Sequence, residues 1–198
     1  MKILNKILPI IILCLAPIPA AAQADDLKIP AEIEPFIEKE MKAITLESAD
    51  LDGDGKKDFI LVLDKAKVNP DDEYTDESER PMLILTRGAD GKLTVAARNT
   101  IVARCRNCGG AYGDPFDGVT ARRSGFTIAN TGGSSDRWLE NFDFVYSRLD
   151  KTWQLVKVVQ TDYNTFQPKR AKTKVYTPRN FGKINFTDFD PDNFTKKK

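Results

Sequence analysis

Four carboxylates fall within nine residues in the run Asp50-Leu51-Asp52-Gly53-Asp54-Gly55-Lys56-Lys57-Asp58. Hard divalent cations prefer oxygen, and Ca2+ takes about six to eight such ligands at about 2.3–2.6 Å. Side chains at the first, third and fifth positions of a tight loop converge on one point, and Gly53 and Gly55 allow the positive φ angles that tighten it. Asp50, Asp52, Asp54, the backbone carbonyl at Lys56 and Asp58 are therefore the candidate ligands. The spacing begins as an EF-hand does but lacks its closing Glu. Leu61 stands at the twelfth position, and an apolar run follows where a helix would. The alternative is an acidic turn that binds nothing, whose unneutralised charges repel one another. Mg2+ fits less well, because it holds its waters. No nucleophile or acid–base partner stands beside the loop in sequence, so the expected role of Ca2+ is structural.

Cys105-Arg106-Asn107-Cys108 is the second constellation. A zinc ribbon needs a further Cys pair or histidines, and the chain has no histidine. A redox pair of the thioredoxin kind opens a helix whose dipole lowers the thiol pKa. Here the flanks are a β-like run and Gly109-Gly110, so a small structural disulfide of an oxidising compartment is expected. The third constellation spans residues 109–118, with Asp114, Phe116 and Asp117, and continues at Asp136-Arg137-Trp138 after a second glycine turn. If the two turns meet, Asp114, Phe116, Asp117, Arg137 and Trp138 form a surface suited to a sugar, a peptide or a partner protein. The alternative is that the aromatics are core, Arg137 pairs with an aspartate and the glycines only turn the chain. No helix or Lys-Ser/Thr pair follows these glycines, which removes a phosphate-binding loop.

The absence of histidine excludes Ser-His and Cys-His nucleophile pairs, the usual base near neutral pH and imidazole zinc sites. A pair of aspartates, Asp114 and Asp117, could still hydrolyse a cell-wall glycan if one pKa were raised. A net charge of +1 argues against nucleic acid as the main partner.

The elements that would carry these residues are mostly strands. Apolar runs or alternation predict strands near residues 43–46, 59–63, 82–86, 92–98 with 101–103, 126–129, 142–146 and 153–159. Gly88-Ala89-Asp90-Gly91 reads as a hairpin turn. Ile33, Phe36, Ile37 and Met41 stand near helical spacing, predicting a short amphipathic helix within residues 30–42. Residues 69–79 hold six acids and read as a solvated loop. The stretch 168–174 is basic and exposed, and Phe181, Phe186, Phe189 and Phe194 should bring the C-terminus back onto the body. The expected fold is mostly β (α+β): antiparallel strands in one compact domain, 25–198, with a short N-terminal helix.

Residues 1–24 read as a cleaved signal peptide: Lys2 and Lys6, a short apolar run, then Ala22-Gln23-Ala24 at the cut. The run is too short and too rich in proline for a membrane span of about 20 apolar residues. Leu13 before Cys14 is not the small residue that lipid attachment needs. Removal of this segment, which holds two cations and no acid, takes the net charge from +1 to −1. The expected location is periplasmic or secreted, with no membrane span after cleavage.

The order of motifs, SADLDGDGKKDFILVLD, RPMLILTRGADGKL, CRNCGGAYGDPFDGV, TGGSSDRWLENFDFVY, TWQLVKV and PRNFGKINFTDF, resembles a group of uncharacterised exported bacterial proteins with an FG-GAP/VCBS-like calcium loop. The resemblance spans most of the mature chain. It implies calcium ligands at Asp50, Asp52, Asp54, Lys56 and Asp58, and no catalytic residue. A single such loop does not make a propeller, which would repeat it. The expectation is a non-catalytic binding or interaction module stabilised by one Ca2+ and one disulfide, with an envelope protein or glycan as partner. The alternatives are the Asp-pair hydrolase and a thiol–disulfide enzyme using Cys105 and Cys108.

Overall fold

A computed structural model describes residues 27–67, 75 and 77–195. The expected signal segment, most of the acidic stretch 69–79 and the last three lysines lie outside the described residues. Among the described residues, nine strands form two antiparallel sheets. The first holds β1 (Met41–Ala49), β2 (Asp58–Lys65), β3 (Arg80–Arg87) and β4 (Leu93–Ala103), in that spatial order. The second holds β5 (Phe116–Arg122), β6 (Gly125–Gly133), β7 (Asp136–Ser147), β8 (Thr152–Asn164) and β9 (Lys172–Tyr176), also in sequence order. The architecture is mostly β, as the sequence predicts. The one α-helix among the described residues, α1 (Pro178–Phe181), is a single turn near the C-terminus.

The continuous apolar run in β2 is explained by burial on both faces. Ile60 and Val62 join the core between the sheets, with Met82 and Ile84 from β3 and Phe126, Ile128, Phe142, Phe144, Trp153 and Leu155 from the second sheet. Phe59, Leu61 and Leu63 point the other way and are covered by Ile33, Phe36, Ile37 and Met41. The N-terminal helix is shorter than residues 30–42. Only Glu34–Phe36 form a 3-10 turn, and Met41 already opens β1. Its apolar residues nevertheless cover the sheet, so their spacing reported burial more reliably than helical geometry. The second sheet alternates, with a dry inner face and an outer face where Asp143 meets Lys157 and Thr127, as one-sided antiparallel sheets do.

The C-terminal aromatics close the core. Phe186 meets Phe126 and Phe144 edge-on with centroids 5.4 Å away, and Phe189 meets Phe142 at 4.9 Å. Asn99, buried in β4, fixes this segment. Its Nδ2 donates to the Phe186 and Phe189 carbonyls at 2.7 and 2.8 Å, while its Oδ1 accepts from the Ile101 and Val102 amides.

Candidate metal centre

The acidic loop joins β1 to β2, the two strands whose pairing runs to Ala49 and Asp58. Gly53 and Gly55 have φ of 81° and 88°, the left-handed region open to glycine at little cost. Leu51 is wholly buried in the core and anchors the loop. Its carbonyl accepts from the Trp153 indole at 2.9 Å. The Asp50 carbonyl accepts from the Ser124 amide at 2.8 Å, tying the loop to the β5–β6 turn.

Asp50, Asp52 and Asp58 each offer an oxygen, and these atoms lie within 4.8 Å of one another. Asp58 is fully buried, and its two oxygens accept from the Leu51 and Arg87 amides, each at 2.9 Å. Burial pushes the Asp58 carboxyl above its ordinary range. The two amide bonds pull it partly back, and the charges of Asp52 and Asp54 push it up again. Asp50 has one oxygen 3.4 Å from Arg123 Nε, while its other, Oδ1, is buried with no hydrogen-bond partner. Asp52 accepts from the Asp54 amide at 3.0 Å. A buried anionic oxygen without a donor, beside two further carboxylates, is the environment that a hard cation relieves. The residues present therefore fit the ion.

Asp54 stands outside this group. It accepts from the Lys56 amide at 2.8 Å and pairs with the Lys56 ammonium. That side-chain bond holds the Asp54 carboxyl below its usual range and raises Lys56. Negative charge also reaches Tyr146, whose phenol is raised by burial and then by Asp52, Asp54 and Asp58.

Cys105 and Cys108 lie at disulfide distance, with Cα atoms 5.2 Å apart. The segment after them is a 3-10 turn, Gly110–Tyr112. The two glycine turns do meet, since the Gly133 amide donates to the Gly109 carbonyl at 2.8 Å and the Thr131 amide to the Pro115 carbonyl at 2.7 Å. The five candidate surface residues have separate surroundings. Asp114 receives both guanidinium ends of Arg80, each at 2.6 Å. Phe116 packs against the main core. Asp117 accepts from the Thr131 hydroxyl. The Arg137 guanidinium lies 4.5 Å over the Tyr112 ring. Trp138 faces Arg104 at 5.3 Å.

Arg80 had no local signal in the sequence and proves central to this region. It is 1% exposed and also bonds Asp64 at 3.0 Å and the Arg104 carbonyl at 3.2 Å. Arg106, from between the two cysteines, donates to the same Asp64 oxygen at 2.6 Å. Burial works to raise the Asp64 carboxyl, but Arg106 and Arg80 together bring it below its ordinary value. The cysteine loop is thus tied to the first sheet at both ends, through Arg106 and through Asp114.

No family model, curated protein or solved structure matches the chain.

Proposed function

We infer that the protein is a non-catalytic binding module of the periplasm or the cell exterior, stabilised by one Ca2+ at the β1–β2 loop and by the Cys105–Cys108 disulfide. The observation that carries the reading is the convergence of Asp50, Asp52 and Asp58 with the partnerless buried Asp50 Oδ1. These three would hold the ion; Asp54 and the Lys56 carbonyl, implied by the FG-GAP/VCBS-like spacing, would join its shell only if Asp54 released the Lys56 ammonium. The ion would supply neutralisation of a charge cluster that otherwise repels itself. Leu51 and Trp153 hold the loop in place, which lowers the ordering cost of binding.

The Asp-pair hydrolase is less well supported. Arg80 engages both oxygens of Asp114, so that carboxylate is committed to an ion pair and not open to a substrate. A partner surface would draw on Arg137 and Trp138 rather than Phe116, which is committed to the core. Its occupant would be an envelope protein or glycan. Calorimetric titration of the chelator-stripped protein tests the metal reading. One Ca2+ per chain, with weaker Mg2+ binding, is expected, and absence of any Ca2+-dependent heat or tryptophan signal would sink it.

A further inference from the structure

The geometry points to a second surface: the end of the second sheet that carries Phe166 docks on an anionic phospholipid bilayer, with Phe166 entering the interface and basic side chains meeting the headgroups. From residue 163 to residue 187 the chain holds six cations and no acid. Four of them, Lys169, Arg170, Lys172 and Lys174, follow Phe166 closely. All are exposed, and none has an ion-pair partner among the described residues. Phe166 itself is 82% exposed.

Its exposure is fixed by the fold. The Asn164 side chain accepts from the Phe166 amide at 2.9 Å, the Gln167 amide donates to the Asn164 carbonyl at 2.9 Å, and the Thr165 amide donates to the Ser135 carbonyl at 2.8 Å. The tip is therefore hydrogen-bonded with its aromatic ring held in water. Tyr112, 43% exposed, stands at the same end, because Arg137 of β7 lies over its ring. A shallow groove of about 340 Å³ runs beside it, lined by Arg137, Trp138, Tyr163, Arg170 and Lys172 together with Asp136, Asp162 and Asn164. Of the two acids, Asp136 accepts from Asn164 at 2.8 Å, and Asp162 stands opposite Lys172 only in the backbone register of β8 and β9.

Lysines on the edge strand β9 protect a sheet from strand addition. That accounts for Lys172 and Lys174, and it also disfavours an extended acidic peptide as occupant. It gives no reason for an exposed phenylalanine set among cations. An aromatic tip flanked by Lys and Arg fits a bilayer interface, where the ring leaves water and each cation gains from anionic headgroups. The Asp loop lies at the other end of β8, beside Trp153 and the β5–β6 turn, so its negative charge would face away from the surface.

Co-sedimentation of the mature chain with vesicles tests the assignment. Binding is expected to vesicles containing phosphatidylglycerol, not to phosphatidylcholine alone, and to weaken in high salt. The variant Lys169→Gln/Arg170→Gln/Lys172→Gln should lose about a hundredfold in partitioning, from about fivefold per cation. Phe166→Ser should lose about tenfold. All four side chains are exposed, so both variants should melt as the wild type does. The inference is overturned by failure to bind phosphatidylglycerol vesicles, by unchanged binding of either variant, or by full competition from inorganic phosphate or a soluble polyanion at matched ionic strength. Each of these outcomes is independent of calcium.

Discussion

Asp52→Ala separates the metal from the fold, and its structural surroundings say why. Asp52 accepts one exposed backbone bond, from Asp54, worth about 1 kcal/mol. In chelator the variant should therefore melt within a few degrees of the wild type, since relief of repulsion offsets that loss. Ca2+ at about 100 times its dissociation constant adds about 2.7 kcal/mol to the folded state. For a chain of this size each kcal/mol moves the melting point by about 2–4 °C, so the wild type should rise by about 5–11 °C. Asp52→Ala should lose most of that rise. Asp58→Ala should behave differently, because it strands the buried Leu51 amide and the part-buried Arg87 amide. At about 1–3 kcal/mol for each unpaired donor, it should melt low in chelator as well. The assay is a thermal melt followed by tryptophan fluorescence, because Trp153 bonds the loop at Leu51. A wild type that melts identically in Ca2+ and chelator would refute the metal site. A Ca2+ rise that survives intact in Asp52→Ala would refute this set of ligands.

Asp64→Asn should cost about 3 kcal/mol in denaturant melts, because it leaves the buried Arg80 one anion short. The Asp64 pKa is lowered on folding, so its stabilisation is present above the unfolded value of about 3.9 and is lost as pH falls through the lower folded value. Acid titration of stability should accordingly be shallower in Asp64→Asn over that window. Asn99→Ala should cost about 3 kcal/mol or more and release the C-terminal segment to proteolysis, since four hydrogen bonds end on that side chain. Gly132→Ala puts a Cβ into the Trp138 indole and should destabilise by about 1–3 kcal/mol, with a changed tryptophan spectrum. Reduction of Cys105–Cys108 should cost about 2 kcal/mol, read as a fall in the denaturation midpoint.

What the sequence could disclose follows from how local each feature is. The strands around Phe59, Met82, Phe142 and Trp153 were legible because burial on one or both faces leaves a run or an alternation within a few residues. The strand Phe116–Arg122 was missed because glycine and aspartate in its first residues read as loop, and Lys172–Tyr176 because an edge strand rich in lysine carries no apolar pattern. The Asp loop was legible as a ligand run, yet only pairing geometry separates Asp50, Asp52 and Asp58 from Asp54, which Lys56 captures two residues on. Arg80 was invisible, since its anions lie 16 residues back and 34 ahead. The same reasoning bears on the basic stretch 163–187. Its charge imbalance can be read directly, but Tyr112 and Arg137 join its end only because β6, β7 and β8 pair in register from Gly133 to Asn164. A sheet assembled as a meander sends alternate turns to opposite ends, and here that separates the carboxylates of the β1–β2 loop from the cations after β8. Net charge taken over a whole chain is thus a poor guide to what the separate ends of its sheets attract.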